Sequence, residues 1–351
     1  MSRVFKQQTN RATVGIRLVD TPEQVCHNAQ LPSVYEINGQ SYISSCVGCL
    51  SPMCMRFMPE ELGLSDERLT EFPVDVDDSV CPLNALIWER GNPTPTIVTD
   101  RCINCGICAR RCPLGAIYSS GVSAVIHTGE TEVNFRSATP ENIEVHNRQM
   151  TELLGCRHTG QYLKIDEDSV DVLYSKLAEQ QTEAQFPNLI VRNLFLVLGN
   201  RCIIRRRGDV YFRIDAIIED KPVIGVAEIE FRKDTLEPPR SILDDIAVLS
   251  SRYGIAKQHV KPFIVFLELP NLRTEYWRVI KDIKDILDIK VHTMTLGALC
   301  TLTWGFSNAP ISSVDFYADI NTPSIKQGIE VLCAGIQSPD ITRHAVFEPM
   351  K

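Results

Sequence analysis

From Phe186 onward the apolar positions fall into runs whose period switches between that of a helix and that of a strand. "FPNLIVRNLFLVLG" has helical spacing and stops at Gly199, a residue suited to a C-cap. "CIIRRRG", "DVYFRIDAII" and "PVIGVAEIEF" then read as three strands. "SILDDIAVLSSRYG" predicts a helix opening on Ser241 and Asp244 in capping-box spacing. "PFIVFLEL" predicts a strand, "RTEYWRVIKDIKDIL" a helix and "IKVHTMTL" a further strand. Strands alternating with helices in this way predict a mixed sheet covered on both faces.

The middle hairpin of that half sorts its side chains sharply. Pairing Ile218 with Val223 across "EDKP" places Val210, Phe212, Ile214, Ala216 and Ile218 on one face with Val223, Gly225, Ala227, Ile229 and Phe231. That face is apolar throughout. The other holds Tyr211, Arg213, Asp215 and Ile217 beside Ile224, Val226, Glu228 and Glu230, with Asp215 opposite Val226 and diagonal to Glu228.

The N-terminal half is patterned differently. "SVYEINGQSYIS" alternates around an Asn-Gly pair and predicts a β-hairpin. "MPEELGLSDERL" has helical character and leads into an acidic loop that carries no evident chemistry. Between Ser120 and Ala184 the pattern loosens: "SAVIHTGETEVNFRS" suits two short strands, while "ENIEVHNRQMTELL" and "SVDVLYSKLAEQQTEAQ" suit amphipathic helices. A domain boundary is expected near residue 165, giving domains 1–165 and 166–351.

Composition narrows the class. The chain has 351 residues, 44% hydrophobic and 23% charged, which suits a soluble protein of two domains. "MSRVFKQQTNRATVG" lacks the apolar core of a signal peptide, and no apolar run approaches the ~18 residues of a membrane span, so a cytoplasmic location is expected. A formal net charge of −8 argues against a protein that coats nucleic acid without regard to sequence. Thirteen cysteines in such a chain point to metal binding rather than a disulfide framework.

Eight of those cysteines form one pattern. Cys102, Cys105, Cys108 and Cys112 follow x2, x2 and x3 spacers, with Pro113 after the last. Short spacers let three thiolates from one loop wrap one iron–sulfur cube, while the fourth cysteine serves a different cube. Cys46, Cys49 and Cys54, then Cys81-Pro82, supply the partner motif, and "CPLNALI" echoes "CPLGAIY". Crossed ligation follows: Cys102, Cys105 and Cys108 with Cys81, and Cys46, Cys49 and Cys54 with Cys112. Over roughly residues 40–125 this resembles the bacterial dicluster ferredoxin family, which implies an α+β ferredoxin-like module and two [4Fe-4S] clusters. The four-residue spacer before Cys54, where the family usually has two, leaves a three-iron cluster open. A pair of zinc sites is the alternative.

The acids of the second half raise a separate question. Asp215, Glu228 and Glu230 share a face with Ile217, Ile224 and Val226, and unpaired carboxylates on a partly buried face are costly. A hard cation, Mg2+ or Mn2+, would account for them and could serve phosphodiester hydrolysis. The bland alternative is an exposed acidic hairpin. Over roughly residues 183–300 the pattern resembles the PD-(D/E)xK nuclease superfamily, through Asp215 in "RIDAII" and the "EIE" of Glu228–Glu230. The resemblance implies an α/β mixed-sheet, restriction-endonuclease-like domain with Asp215 and Glu228 on metal. Glu230 stands where the family has a lysine that helps the attacking water. Asn188, or Glu183 just upstream, falls where a further glutamate often sits.

Arg205, Arg206, Arg207 and Arg213 would then hold a nucleic-acid backbone, or else solvate an edge strand. The expected function is a metal-dependent endonuclease acting on DNA, with catalytic residues Asp215, Glu228 and Glu230 and clusters in a scaffolding or redox-sensing role. Two other readings stay open. One is an electron-transfer protein or redox-enzyme subunit whose second half only docks; the other is an inactive nuclease fold that binds nucleic acid. Expected partners are nucleic acid, with room for a homodimer or a redox partner, and no membrane.

Overall fold

A computed structural model describes residues 52–89, 95–112, 167–209, 211–232, 235–305, 307–333 and 341–350, together with the strands lying between residues 4 and 137. The chain divides into two compact units, Met1–Arg56 with Leu83–Lys164 and Phe57–Pro82 with Ile165–Lys351. Residues 57–82, assigned from sequence to the first domain, thus belong with the second unit.

The first unit is built from short strands. These are β1 (Val4–Lys6), β2 (Val34–Ile37), β3 (Gln40–Ser44), β4 (Leu86–Ile87), β5 (Thr96–Ile97), β6 (Ile117–Ser119), β7 (Ala124–Ile126), β8 (Thr128–Gly129) and β9 (Arg136–Ser137). The helix α1 (Ile107–Arg111) lies between β5 and β6. β2 and β3 pair antiparallel with Ile37 opposite Gln40, the hairpin that the sequence predicts. β8 extends that hairpin along β3. The internal echo is visible too: β4 begins five residues after Cys81 and β6 five residues after Cys112. Each pairs antiparallel with the strand that follows it in sequence.

In the second unit, α2 (Glu167–Glu179) and α3 (Phe186–Val197) precede β10 (Arg201–Ile204), β11 (Ala216–Asp220) and β12 (Val223–Glu230). Then come α4 (Glu237–Arg252), β13 (Val260–Phe266), α5 (Tyr276–Leu287), β14 (His292–Thr295), α6 (Leu296–Trp304) and α7 (Lys326–Leu332). The five-stranded sheet runs β10-β11-β12-β13-β14, antiparallel across β10–β12 and parallel across β12–β14. Ile217 and Ile218 point to opposite faces and both are fully buried, so both faces of the sheet are covered. α3 covers one face, where Phe195 meets the Phe263 ring at 5.9 Å. α4 covers the other, where Asp245 meets Glu228.

Three local readings need correction. The hairpin register is shifted by two residues: Asp220 pairs with Val223 and Ala216 with Ala227, closing a two-residue turn at Lys221-Pro222. An even shift preserves which side chains share a face, but it moves Asp215 from opposite Val226 to the position facing Glu228. Residues 211–215 are not strand, and Tyr211 stands 87% exposed. α4 starts at Glu237, with prolines in its first turn, so Ser241 and Asp244 lie inside the helix rather than at its cap. Beyond Thr295 the chain does not continue as strand. The Thr295 hydroxyl accepts the Ala298 amide at 3.0 Å and opens α6, every residue of which is buried.

The segment 57–82 lies along the open edge of β10. Val74 bridges Arg205, the Asp75 amide donates to the Ile204 carbonyl at 2.9 Å, and the Arg206 amide donates to the Pro73 carbonyl at 2.7 Å. Ser65 donates to the buried Glu219 carboxylate through its amide and its hydroxyl, at 2.7 and 2.9 Å. The stretch without evident chemistry therefore covers an edge strand that would otherwise present unpaired backbone groups.

Candidate functional site

Two groups of side chains invite a ligand. The first is the cysteine pattern. The loop from Cys102 to α1 turns through two left-handed residues, Asn104 (φ 59) and Gly106 (φ 83). The second turn suits glycine, and successive turns of this kind point backbone N–H groups inward around an anionic centre. Cys102 and Cys112 are buried, and Cys105 and Cys108 are half-buried, in a setting of buried Ile103, Ile107 and Ile117. The Arg111 guanidinium donates to the Met53 carbonyl at 2.8 Å, tying α1 to the turn that carries the buried Cys54. Thiolate donors at this spacing, in a largely dry loop, fit an iron–sulfur cluster. Cys46 and Cys49 lie outside the described residues.

Comparison with known proteins agrees. The 4Fe-4S binding domain family matches residues 95–118, the stretch that contains Cys102, Cys105, Cys108 and Cys112. An uncharacterized ferredoxin of Methanocaldococcus jannaschii is 26% identical over 91 residues, covering 25% of this chain and 58% of that protein. The chain carries a ferredoxin-like iron–sulfur part. No solved structure matches the chain.

Cys81 closes the segment 57–82 that belongs to the second unit. The buried Asn193 of α3 donates to the carbonyls of Ser79 and Val80 at 2.9 and 3.1 Å. Its neighbour Arg192, also fully buried, donates to the Asp77 carbonyl at 2.6 Å and to Asn193 Oδ1 at 3.0 Å. Two polar residues in the middle of an apolar helix are thus spent on fixing the backbone just before the cysteine.

The second group is acidic. Asp215 lies just before β11, and its Oδ2 accepts the Ile229 amide at 3.2 Å. Asn188 of α3 approaches Oδ1 at 3.4 Å and the Arg205 guanidinium lies 3.6 Å away. Glu228 of β12 and Asp245 of α4 share a hydrogen bond. Burial, then the Asp215 charge, then Asp245 itself push the Glu228 carboxyl up to about 10. Asp245 is pushed up to about 6, chiefly by burial, with the Glu228 hydrogen bond holding it down. Burial also raises Asp215, against the pull of the Ile229 amide and Arg205. Two carboxyls can share a hydrogen bond only when one of them carries the proton, and burial raises both. Asp245 is 1% exposed and its Oδ2 has no hydrogen-bond partner.

Asp215 and Glu228, chosen from sequence, are brought together. Glu230 lies two residues further along the same face, close enough to raise Asp215, and accepts the Arg232 amide. Asp245 was missed. Its signal was present, since Ile242, Asp245, Ile246 and Leu249 occupy one buried helical stripe and an aspartate there is out of place. Among the described residues, no three His, Cys, Asp or Glu side chains already surround a point that a metal ion could take. The donor set is nonetheless hard oxygen, and Asp245 Oδ2 is an orphaned buried acceptor, so the residues fit a divalent cation in kind.

The arginines divide. Arg205 turns inward to Asp215 and to the Phe212 carbonyl. Arg206 and Arg207 stay 66% and 69% exposed while pairing with Asp209 and Glu183, and Arg213 is exposed. Among the described residues, no helix is long and apolar enough to cross a membrane.

Proposed function

We propose that the second unit is a divalent-cation-dependent phosphodiester hydrolase acting on nucleic acid, joined to a dicluster iron–sulfur part. The cluster of half-buried Asp215 and Glu228 with buried Asp245, one carboxylate oxygen of which is unpartnered, carries this reading. Asp215 and Glu228, with the unpartnered oxygen of Asp245 as a third ligand, would hold Mg2+ or Mn2+, and the ion would supply charge neutralisation and an activated water. Asn188 and the Ile229 amide orient Asp215. Glu230, close enough to act on Asp215, is a further carboxylate that would position water or take its proton. Exposed Arg206, Arg207 and Arg213 flank exposed Tyr211 in the sequence leading to Asp215, a mixture of phosphate-pairing and base-stacking groups.

The test is cleavage by anaerobically purified protein of plasmid, linear duplex and single-stranded DNA with Mg2+ or Mn2+. Wild type should produce nicks or breaks and Glu228→Ala should lose them by about a hundredfold or more, the scale for removing a catalytic electrostatic partner. Equal products from both, or none from wild type, would reject the reading. The ferredoxin relative and the 4Fe-4S match favour a second reading, an electron-transfer protein whose second unit docks a partner. It predicts reversible reduction with an external reductase, undisturbed by Glu228→Ala.

A further inference from the structure

We propose that a cavity at the N-terminal ends of β13 and β14 binds a phosphate-bearing small molecule of about mononucleotide size. The cavity measures about 390 Å³, within the range of about 300–1,000 Å³ common for small-ligand sites. Its charged lining is Lys257, Lys261, Lys284 and Lys290 against the single carboxylate of Asp288, with His292 beside them. In a chain of net charge −8 this is a local reversal of sign.

The lysines are fixed in place without being used up. Lys257 donates to the Leu287 carbonyl at 2.6 Å, Lys261 to the carbonyls of Ile311 and Val314, Lys284 to Asp288, and Lys290 to Asp315 at 3.3 Å. An ammonium has three donors, so each keeps at least one for a further acceptor. The Phe316 amide donates to His292 Nδ1 at 3.0 Å, which leaves Nε2 as the N–H of the neutral ring. The ring is kept neutral by burial and by Lys261, with Lys290 adding to them; Asp315, 3.5 Å from Nδ1, opposes this. Lys261 is itself held down by burial and by Lys290. These cations repel one another, and an anion among them would relieve that repulsion.

A phosphate offers several acceptor oxygens to converging donors, and Ile246, Pro262 and Ile289 give the cavity an apolar wall for an organic part. The acids are a separate matter. Lys261 pairs with Gly225 and Ile264 with Glu228, three residues or about 10 Å further along the sheet.

Calorimetric titration of the full, anaerobically purified chain with adenosine monophosphate, adenosine and inorganic phosphate tests the proposal. The nucleotide should bind saturably and more tightly than phosphate, and adenosine should not bind. Lys257→Gln with Lys290→Gln should weaken the nucleotide by about tenfold per lysine. Ile289→Trp should fill the cavity and abolish binding, while Glu228→Gln should bind as wild type does. Circular dichroism confirms that each variant is folded. Absent binding, adenosine or phosphate as tight as the nucleotide, unaffected lysine and Ile289 variants, or loss in Glu228→Gln would each overturn it.

Discussion

At the scale of single residues, the hydrogen-bonded carboxyls of Glu228 and Asp245 decide how the acidic cluster titrates. Glu228 is raised to about 10 and Asp245 to about 6, so the folded protein retains protons that the unfolded chain has given up above its ordinary carboxylate range. Stability should therefore fall as pH rises from the unfolded Glu value of 4.5 toward 10 in the presence of a chelator. Glu228→Gln, which mimics the protonated acid, should flatten that slope in urea melts across pH 5 to 9; an unchanged slope would mean the proton is not there. How much of this was legible depends on the residue. Asp215 and Glu228 were found by strand alternation alone, which survived a two-residue register error because an even slip leaves faces intact. Asp245 comes from a distant helix, and periodicity within one strand pair cannot show a third element arriving.

Among the elements, α3 connects the two halves of the sequence. Its N-terminal turn supplies Asn188 to Asp215, and its middle supplies Arg192 and Asn193 to the backbone before Cys81. Asn193→Ala removes the donors of one buried and one part-buried carbonyl and should cost about 2–3 kcal/mol. The effect belongs to residues 73–80, so amide hydrogen exchange there should speed up; unchanged protection would show that the segment is held by other contacts. The helix itself and its stop at Gly199 (φ 93) were legible, as were the β2–β3 hairpin and the alternation of strands and helices. The lodging of 57–82 on β10 was not. Its contacts are mostly backbone carbonyls and amides, and these leave no trace in side-chain pattern.

For the whole molecule, the cysteine spacing specified an iron–sulfur part because cluster ligation demands fixed thiols at short intervals. The acidic centre is assembled from a loop, a strand and a helix, and its reading as a hydrolase rests on one claim, that Asp215, Glu228 and Asp245 exchange a proton for a divalent ion. Mn2+ titration of the intact protein, followed by electron paramagnetic resonance under anaerobic conditions, measures that directly. Mn2+ uptake should saturate and should weaken at least about tenfold in Asp215→Asn and in Asp245→Asn, the loss of one charged contact each. Uptake that never saturates, or that is the same in both variants, would contradict it.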